Sequence, residues 1–271
     1  MLEDLVMDGI FGFAWDFASV SVTTLKRLTF YWGVRNENLK SVSFDTPNLV
    51  YLDYTDTVAD KYPKVNFGLL VEAKINLRKT DGNATNFIVG LCNVKILNLS
   101  SDTLEVLTYC CKAIPLFNNL THLTIDGNGR IGWKSLPAGL LKNSPNLETL
   151  VLLGLLYKSR YGELRWCNPD EKEEEEIPTC LSSSPVKVLK IMEFGSVGPD
   201  EIEEQLLEQI NYFLEKMPNL EQLIFYIDLQ FEEADLIAVF NLLHRLLNGI
   251  ASSKCHIKII TEELCVSSTV P

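Results

Sequence analysis

The sequence is poor in the features that mark most catalytic and nucleic-acid-binding chains. It has 3 histidines, His122, His244 and His256, and none stands at a spacing that would build a general base or a metal site. Its 7 cysteines, Cys92, Cys110, Cys111, Cys167, Cys180, Cys255 and Cys265, are odd in number and contain no CxxC pair, which argues against a disulfide framework and against a zinc site. Most lie in apolar surroundings, where free cysteine acts as a small buried hydrophobe. Lys and Arg total 24 against 36 Asp and Glu, a formal net charge of −12. Affinity for a phosphate backbone rests on clustered cations, so neither nucleic acid nor an anionic membrane is expected as a partner. No apolar run approaches the roughly 18 residues a bilayer span needs, and Glu3, Asp4 and Asp8 stand where a secretory leader would be positive. Gly-rich phosphate loops, nucleophile elbows and metal motifs are missing. The expectation is a non-enzymatic chain of a reducing compartment, cytoplasm or nucleus, with no cofactor and no metal.

What the sequence does contain is repetition. The unit LxxLxL occurs as Leu25-Leu28-Phe30, Leu49-Leu52-Tyr54, Leu70-Ala73-Ile75, Val94-Leu97-Leu99, Leu120-Leu123-Ile125 and Leu147-Leu150-Leu152, with starts 21 to 27 residues apart. Val186-Leu189-Ile191 and Leu220-Leu223-Phe225 continue it, Leu2-Leu5-Met7 opens it, and an extra copy, Leu39-Val42-Phe44, splits the first interval. Many copies follow Pro-Asn-Leu or Asn-Leu. Alternate apolar positions make each unit a short strand with one face on a core. Units that recur at this spacing stack as parallel strands joined by return segments, of which 135–142 reads as a short helix. The expected fold is α/β, a right-handed leucine-rich-repeat solenoid with its parallel sheet on the concave side. Only Asn128 occupies the place where regular repeats put a turn-bonding asparagine, so the array is irregular.

The repeats are expected over 1–156. An acidic, hydrophilic stretch follows over 157–184 and reads as a mobile loop, because dense like charge cannot offset the entropy of ordering. From 185 to 271 a βαβαβ series reads as a cap that continues the solenoid. Its strands are Val186 to Phe194, Leu220 to Ile227 and His256 to Ile260. Its helices run from Gly198-Pro199-Asp200 to about Lys216 and from about Glu232 to Asn248, each with acidic residues at its start. In the Leu147 unit the outward positions Thr149, Val151 and Leu153 are largely apolar, which implies cover on both faces of that strand, the acidic loop being the expected cover.

Several segments resemble the plant F-box/LRR-repeat proteins with a C-terminal FBD domain. They are Val22-Thr23-Thr24-Leu25-Lys26-Arg27-Leu28-Thr29, Asp45-Thr46-Pro47-Asn48-Leu49-Val50-Tyr51-Leu52-Asp53-Tyr54, Phe117-Asn118-Asn119-Leu120-Thr121-His122-Leu123 and Met217-Pro218-Asn219-Leu220-Glu221-Gln222-Leu223. The resemblance implies the substrate-recognition part of an SCF-type, cullin-based ubiquitin ligase adaptor, and it makes the 185–271 region an FBD-type βαβαβ cap. Because Leu2-Glu3-Asp4-Leu5-Val6 already matches a repeat strand, the F-box itself is not found. A target protein is therefore expected as partner, and the ligase's linker subunit is not. A small-molecule-assisted co-receptor and a non-functional remnant stand as alternatives. Binding is expected at the solvent-facing strand positions Arg27, Thr29, Tyr31, Ser41, Ser43, Tyr51, Asp53, Glu72, Lys74, Asn98, His122, Thr124 and Asp126, with the aromatic residues and arginine as anchors.

Overall fold

Alternating side chains fix which face of a strand meets the core, and loop length fixes which strand becomes its neighbour. Both rules operate in this chain, for which a computed structural model describes residues 2–8, 16–31, 39–126, 138–153, 181–194, 211–227, 254–260 and 265–267. The elements are β1 (Asp4–Asp8), β2 (Phe17–Ser21), β3 (Arg27–Tyr31), β4 (Ser41–Asp45), β5 (Tyr51–Thr57), β6 (Val65–Asn66), β7 (Glu72–Arg78), α1 (Thr85–Gly90), β8 (Ile96–Ser100), α2 (Ser101–Tyr109), β9 (His122–Asp126), α3 (Ala138–Lys142), β10 (Thr149–Leu153), β11 (Val188–Phe194), β12 (Gln222–Ile227), β13 (His256–Ile260) and β14 (Cys265–Ser267). They fall into two compact units, Met1–Asp126 with Gly139–Leu147, and Gly127–Ala138 with Glu148–Pro271.

In the first unit β1, β3, β5, β7, β8 and β9 run side by side, all parallel. From Leu25 to Ile125 every apolar place of the LxxLxL units named on these strands is at most 3% exposed. A second sheet, β2-β4-β6, is also parallel and lies on the return side of the first coils. Further along, the return is helical: α1 packs beside β6, and α2 against β7 and β8. The fold is thus α/β with parallel strands recurring once per coil, as the spacing implies.

The second sheet corrects one expectation. Leu39-Val42-Phe44 is not an extra copy in the same sheet; it is β4, paired with β2 and β6. Leu39, Val42 and Phe44 are as buried as the corresponding residues of β3 and β5, because a strand on either side of a core shows the same alternation. Ser41 and Ser43 therefore leave the expected ladder, and Ser41 is buried.

Aromatic rings fill the space between the two sheets. Phe30 and Tyr54 from one side meet Phe44 and Phe67 from the other, with centroids 5.3 Å apart for Phe30–Tyr54, 5.5 Å for Phe44–Tyr54 and 5.3 Å for Phe44–Phe67. Phe87 of α1 enters the same layer. Gly90 ends α1 where a β-carbon would run into the Val65 side chain, so the close approach of helix to second sheet depends on its bare backbone.

Polar groups tie successive coils together. Asn48 Nδ2 donates to the Thr23 carbonyl at 2.7 Å, Asn119 to Asn93 at 3.4 Å and Asn146 to Asn118 at 2.8 Å. In the second unit Asn219 does the same to Ser184 at 3.0 Å. This is why Pro-Asn-Leu introduces the strands: the amide secures each turn to the coil before it, a bond worth about 1 kcal/mol. Thr103, fully buried at the start of α2, receives the Leu77 N–H at 2.8 Å and donates to the Ile75 carbonyl at 3.0 Å. Ser100 caps the same helix by accepting the Thr103 N–H.

In the second unit β10, β11, β12 and β13 are parallel, and β14 adds to β13 in the antiparallel sense. Leu150, Leu152, Leu189, Ile191, Leu223, Phe225, Ile257 and Ile259 form its buried face. The expected strands over 186–194, 220–227 and 256–260 are present as β11, β12 and β13, while β14 had no sequence signal. Residues 211–216 are helical, at the end of the first helix expected there. The rest of that helix, the 232–248 helix, the acidic 157–177 stretch and the Asn128 turn lie outside the described residues. On the opposite face of the sheet Thr149 and Ile224 are buried, and Val151, Leu153, Val188 and Met192 are half-buried. The acidic stretch expected to cover the outward side of β10 lies outside the described residues.

Candidate functional site

The parallel register of the first unit brings outward side chains into rows that cross its strands. One row is Asp4, Arg27, Tyr51, Glu72, Ile96 and His122. The next is Val6, Thr29, Asp53, Lys74, Asn98 and Thr124. A third places Asp8 beside Tyr31 and Thr55, Thr55 beside Asn76, and Ser100 beside Asp126. Neighbouring strands are about 4.8 Å apart, so each row is a closely spaced line of side chains held by a hydrogen-bonded backbone.

Eleven of the thirteen residues expected from alternation lie in these rows, and Ser41 and Ser43 do not. Arg27, Tyr31, Lys74 and His122 are exposed, and Thr29, Tyr51, Asp53, Glu72, Asn98, Thr124 and Asp126 are half-buried. The rows also contain Asp4, Val6, Asp8, Thr55, Asn76, Ile96 and Ser100, which the same period-two reading reaches once the strands are extended to their full length.

Register creates pairings on this face. The Arg27 guanidinium lies over the Tyr51 ring, 4.3 Å from its centroid, a cation–π contact that holds both side chains flat. Lys74 Nζ is 3.7 Å from Asp53, an exposed pair of small energetic weight. Burial, reinforced by the Asp53 and Glu72 carboxylates, raises the Tyr51 phenol above its ordinary value, so Tyr51 is a neutral hydrogen-bonding ring at physiological pH. His122 Nδ1 is within 2.9 Å of the Thr121 hydroxyl, which is also 3.2 Å from the Lys95 carbonyl.

The face presents rings, a guanidinium, amides and hydroxyls on a sheet held by its backbone hydrogen bonds. Among the described residues no group of three or more His, Cys, Asp or Glu is placed to hold a metal ion, and no helix is long and apolar enough to cross a membrane. A cleft of about 780 Å³ lies away from these rows, between β1, β3 and β2, and is lined by Leu5, Met7 and Phe30 together with Asp16 and residues 17–22.

Relatives of known sequence carry the same segment. The F-box/LRR-repeat protein At4g14096 of Arabidopsis thaliana is 57% identical to this chain over 283 residues, covering all of the chain and 59% of that protein. The F-box/LRR-repeat protein At3g59210 of the same plant is 48% identical over 292 residues, again covering the whole chain and 59% of its own length. The F-box/LRR-repeat protein At3g59200 is 50% identical over 299 residues, covering the whole chain and 55% of the relative. The chain spans less than two thirds of the length of these relatives. No family model matches it, and no solved structure does.

Proposed function

Since the chain belongs to the plant F-box/LRR-repeat family over the part of those proteins that it spans, we propose that it is a non-catalytic protein-binding module, the target-holding part of a ubiquitin-ligase adaptor. The observation that carries this reading is the alignment of Arg27, Tyr31, Tyr51, Asp53, Glu72, Lys74, Asn98, His122, Thr124 and Asp126 into rows on one rigid sheet face. A sheet held by its own backbone bonds loses little entropy on binding, and rings and arginine are the side chains that most often dominate protein interfaces. The partner is a protein target. The division into repeats over 1–156, an acidic segment over 157–184 and an FBD-like region over 185–271 belongs to the same proposal, as does residence in cytoplasm or nucleus.

The test is affinity capture from plant extract with the full chain and with the triple variant Arg27→Ala, Tyr31→Ala, Tyr51→Ala. Arg27 and Tyr31 are exposed and Tyr51 is half-buried on the outward face, so the melting temperature should stay within a few degrees of the parent. Partner recovery should fall about tenfold or more, the loss of two or three anchor residues. Undiminished recovery would mean that the rows are not the binding surface.

A further inference from the structure

The charges on this face do not cancel. Over its three rows the carboxylates of Asp4, Asp8, Asp53, Glu72 and Asp126 accompany the cations of Arg27 and Lys74, with Arg78 one row beyond at the end of β7. Lys74 is drawn to Asp53. Arg27 and the Tyr51 ring on which it lies stand between Asp4 and Glu72 in a single row. Asp8 adjoins Tyr31. Among the described residues Asp4, Asp8 and Glu72 make no ion pair.

Apolar surface lies within this frame. Val6 is 68% exposed and Tyr31 47% exposed, on adjacent strands and in adjacent rows. An exposed valine and tyrosine gain from apolar cover, while the carboxylates around them penalise an acidic partner and favour a cationic one.

We propose that the target is engaged through a basic segment, its Lys or Arg side chains meeting Asp4, Asp8 and Glu72 while an apolar or aromatic side chain covers Val6 and Tyr31. The inference rests on the protein-binding reading of the face and adds the chemistry of what binds there. Such an interface forms quickly at low salt and weakens as ionic strength rises, because the contributing charges are at the surface.

The experiment uses the full chain and a short fluorescein-labelled peptide in which Lys alternates with Tyr and Leu, with a Glu-for-Lys peptide as counterpart, read by fluorescence anisotropy. The Lys peptide should bind and the Glu peptide should not. The double variant Asp8→Lys, Glu72→Lys should lower affinity about tenfold or more. Asp60→Lys, Glu105→Lys changes net charge equally but alters exposed residues of a turn and of α2, and should change affinity by less than about threefold. The milder Asp8→Asn, Glu72→Gln should fall between, which keeps the test valid if charge reversal disturbs folding. Equal losses in both reversal variants would reduce the binding to bulk charge and overturn the proposal, as would equal binding of the Glu peptide. If the triple alanine variant loses the captured partner while Asp8→Lys, Glu72→Lys retains it, the face stands as the binding surface and the basic partner falls.

Discussion

Replacing Phe87 with alanine should cost about 3–5 kcal/mol of stability, as truncation of a fully buried ring does when its surroundings cannot collapse. Phe87 is fully buried and is the ring that the others share: its centroid is 5.9 Å from Phe44, 5.0 Å from Tyr54, 5.2 Å from Tyr62 and 6.2 Å from Phe67. These residues come from the main sheet, the second sheet, a return segment and α1. Removing the ring leaves a void bounded by four separate elements, none of which can move inward without breaking its own strand or helix contacts. Phe87→Leu retains much of the volume and should cost well under half as much. Urea unfolding followed by circular dichroism checks both values. A loss below about 1 kcal/mol for the alanine variant would mean that the void closes, and so that the aromatic layer is not the rigid join between the two sheets.

Asp56→Ala should be the second large loss, about 2–4 kcal/mol. Asp56 is 1% exposed, and its carboxylate receives the Tyr54 hydroxyl at 3.1 Å and the Thr57 N–H at 2.7 Å. Truncation removes the acceptor of both bonds inside the core. Burial, with Tyr62 and Asp56 beside it, holds the Tyr54 phenol well above its ordinary value, so Tyr54 enters the network as a neutral donor. The double-mutant cycle separates the network from simple packing: Asp56→Ala should cost less when Tyr54→Phe is already present, because the bond from the Tyr54 hydroxyl is then no longer there to lose. Additive losses in the cycle would show that Tyr54 and Asp56 do not act as one unit.

The repeat strands were legible because burial follows a period of two, and the positions that alternation marks for the core, such as Leu28, Leu52, Leu97 and Leu123, are buried. Alternation reports a face and says nothing of which sheet a strand joins. That is why Leu39-Val42-Phe44 read as another copy in the main sheet when it is a strand of the second. Asn48 and Asn219 were visible as parts of Pro-Asn-Leu, but their role is a bond to a carbonyl 25 and 35 residues earlier, which only the folded chain brings near. β14 has three residues, too few for a periodic signal. For the site, the outward residues were readable one strand at a time. The contacts between them were not: Arg27 meets Tyr51, and Lys74 meets Asp53, only because coil lengths set the parallel register.

Side-chain footprinting of the chain with its captured partner reads directly whether the row-bearing face of the first unit holds a protein. Hydroxyl radicals label accessible tyrosine and histidine, and this chain supplies an internal reference. Tyr31 and His122 are exposed and Tyr51 half-buried on the face, whereas Tyr109, 67% exposed, sits at the end of α2 on the return side. Partner binding should shield Tyr31, Tyr51 and His122 and leave labelling of Tyr109 unchanged. Shielding of Tyr109 with Tyr31, Tyr51 and His122 labelled as in the free chain would contradict that expectation.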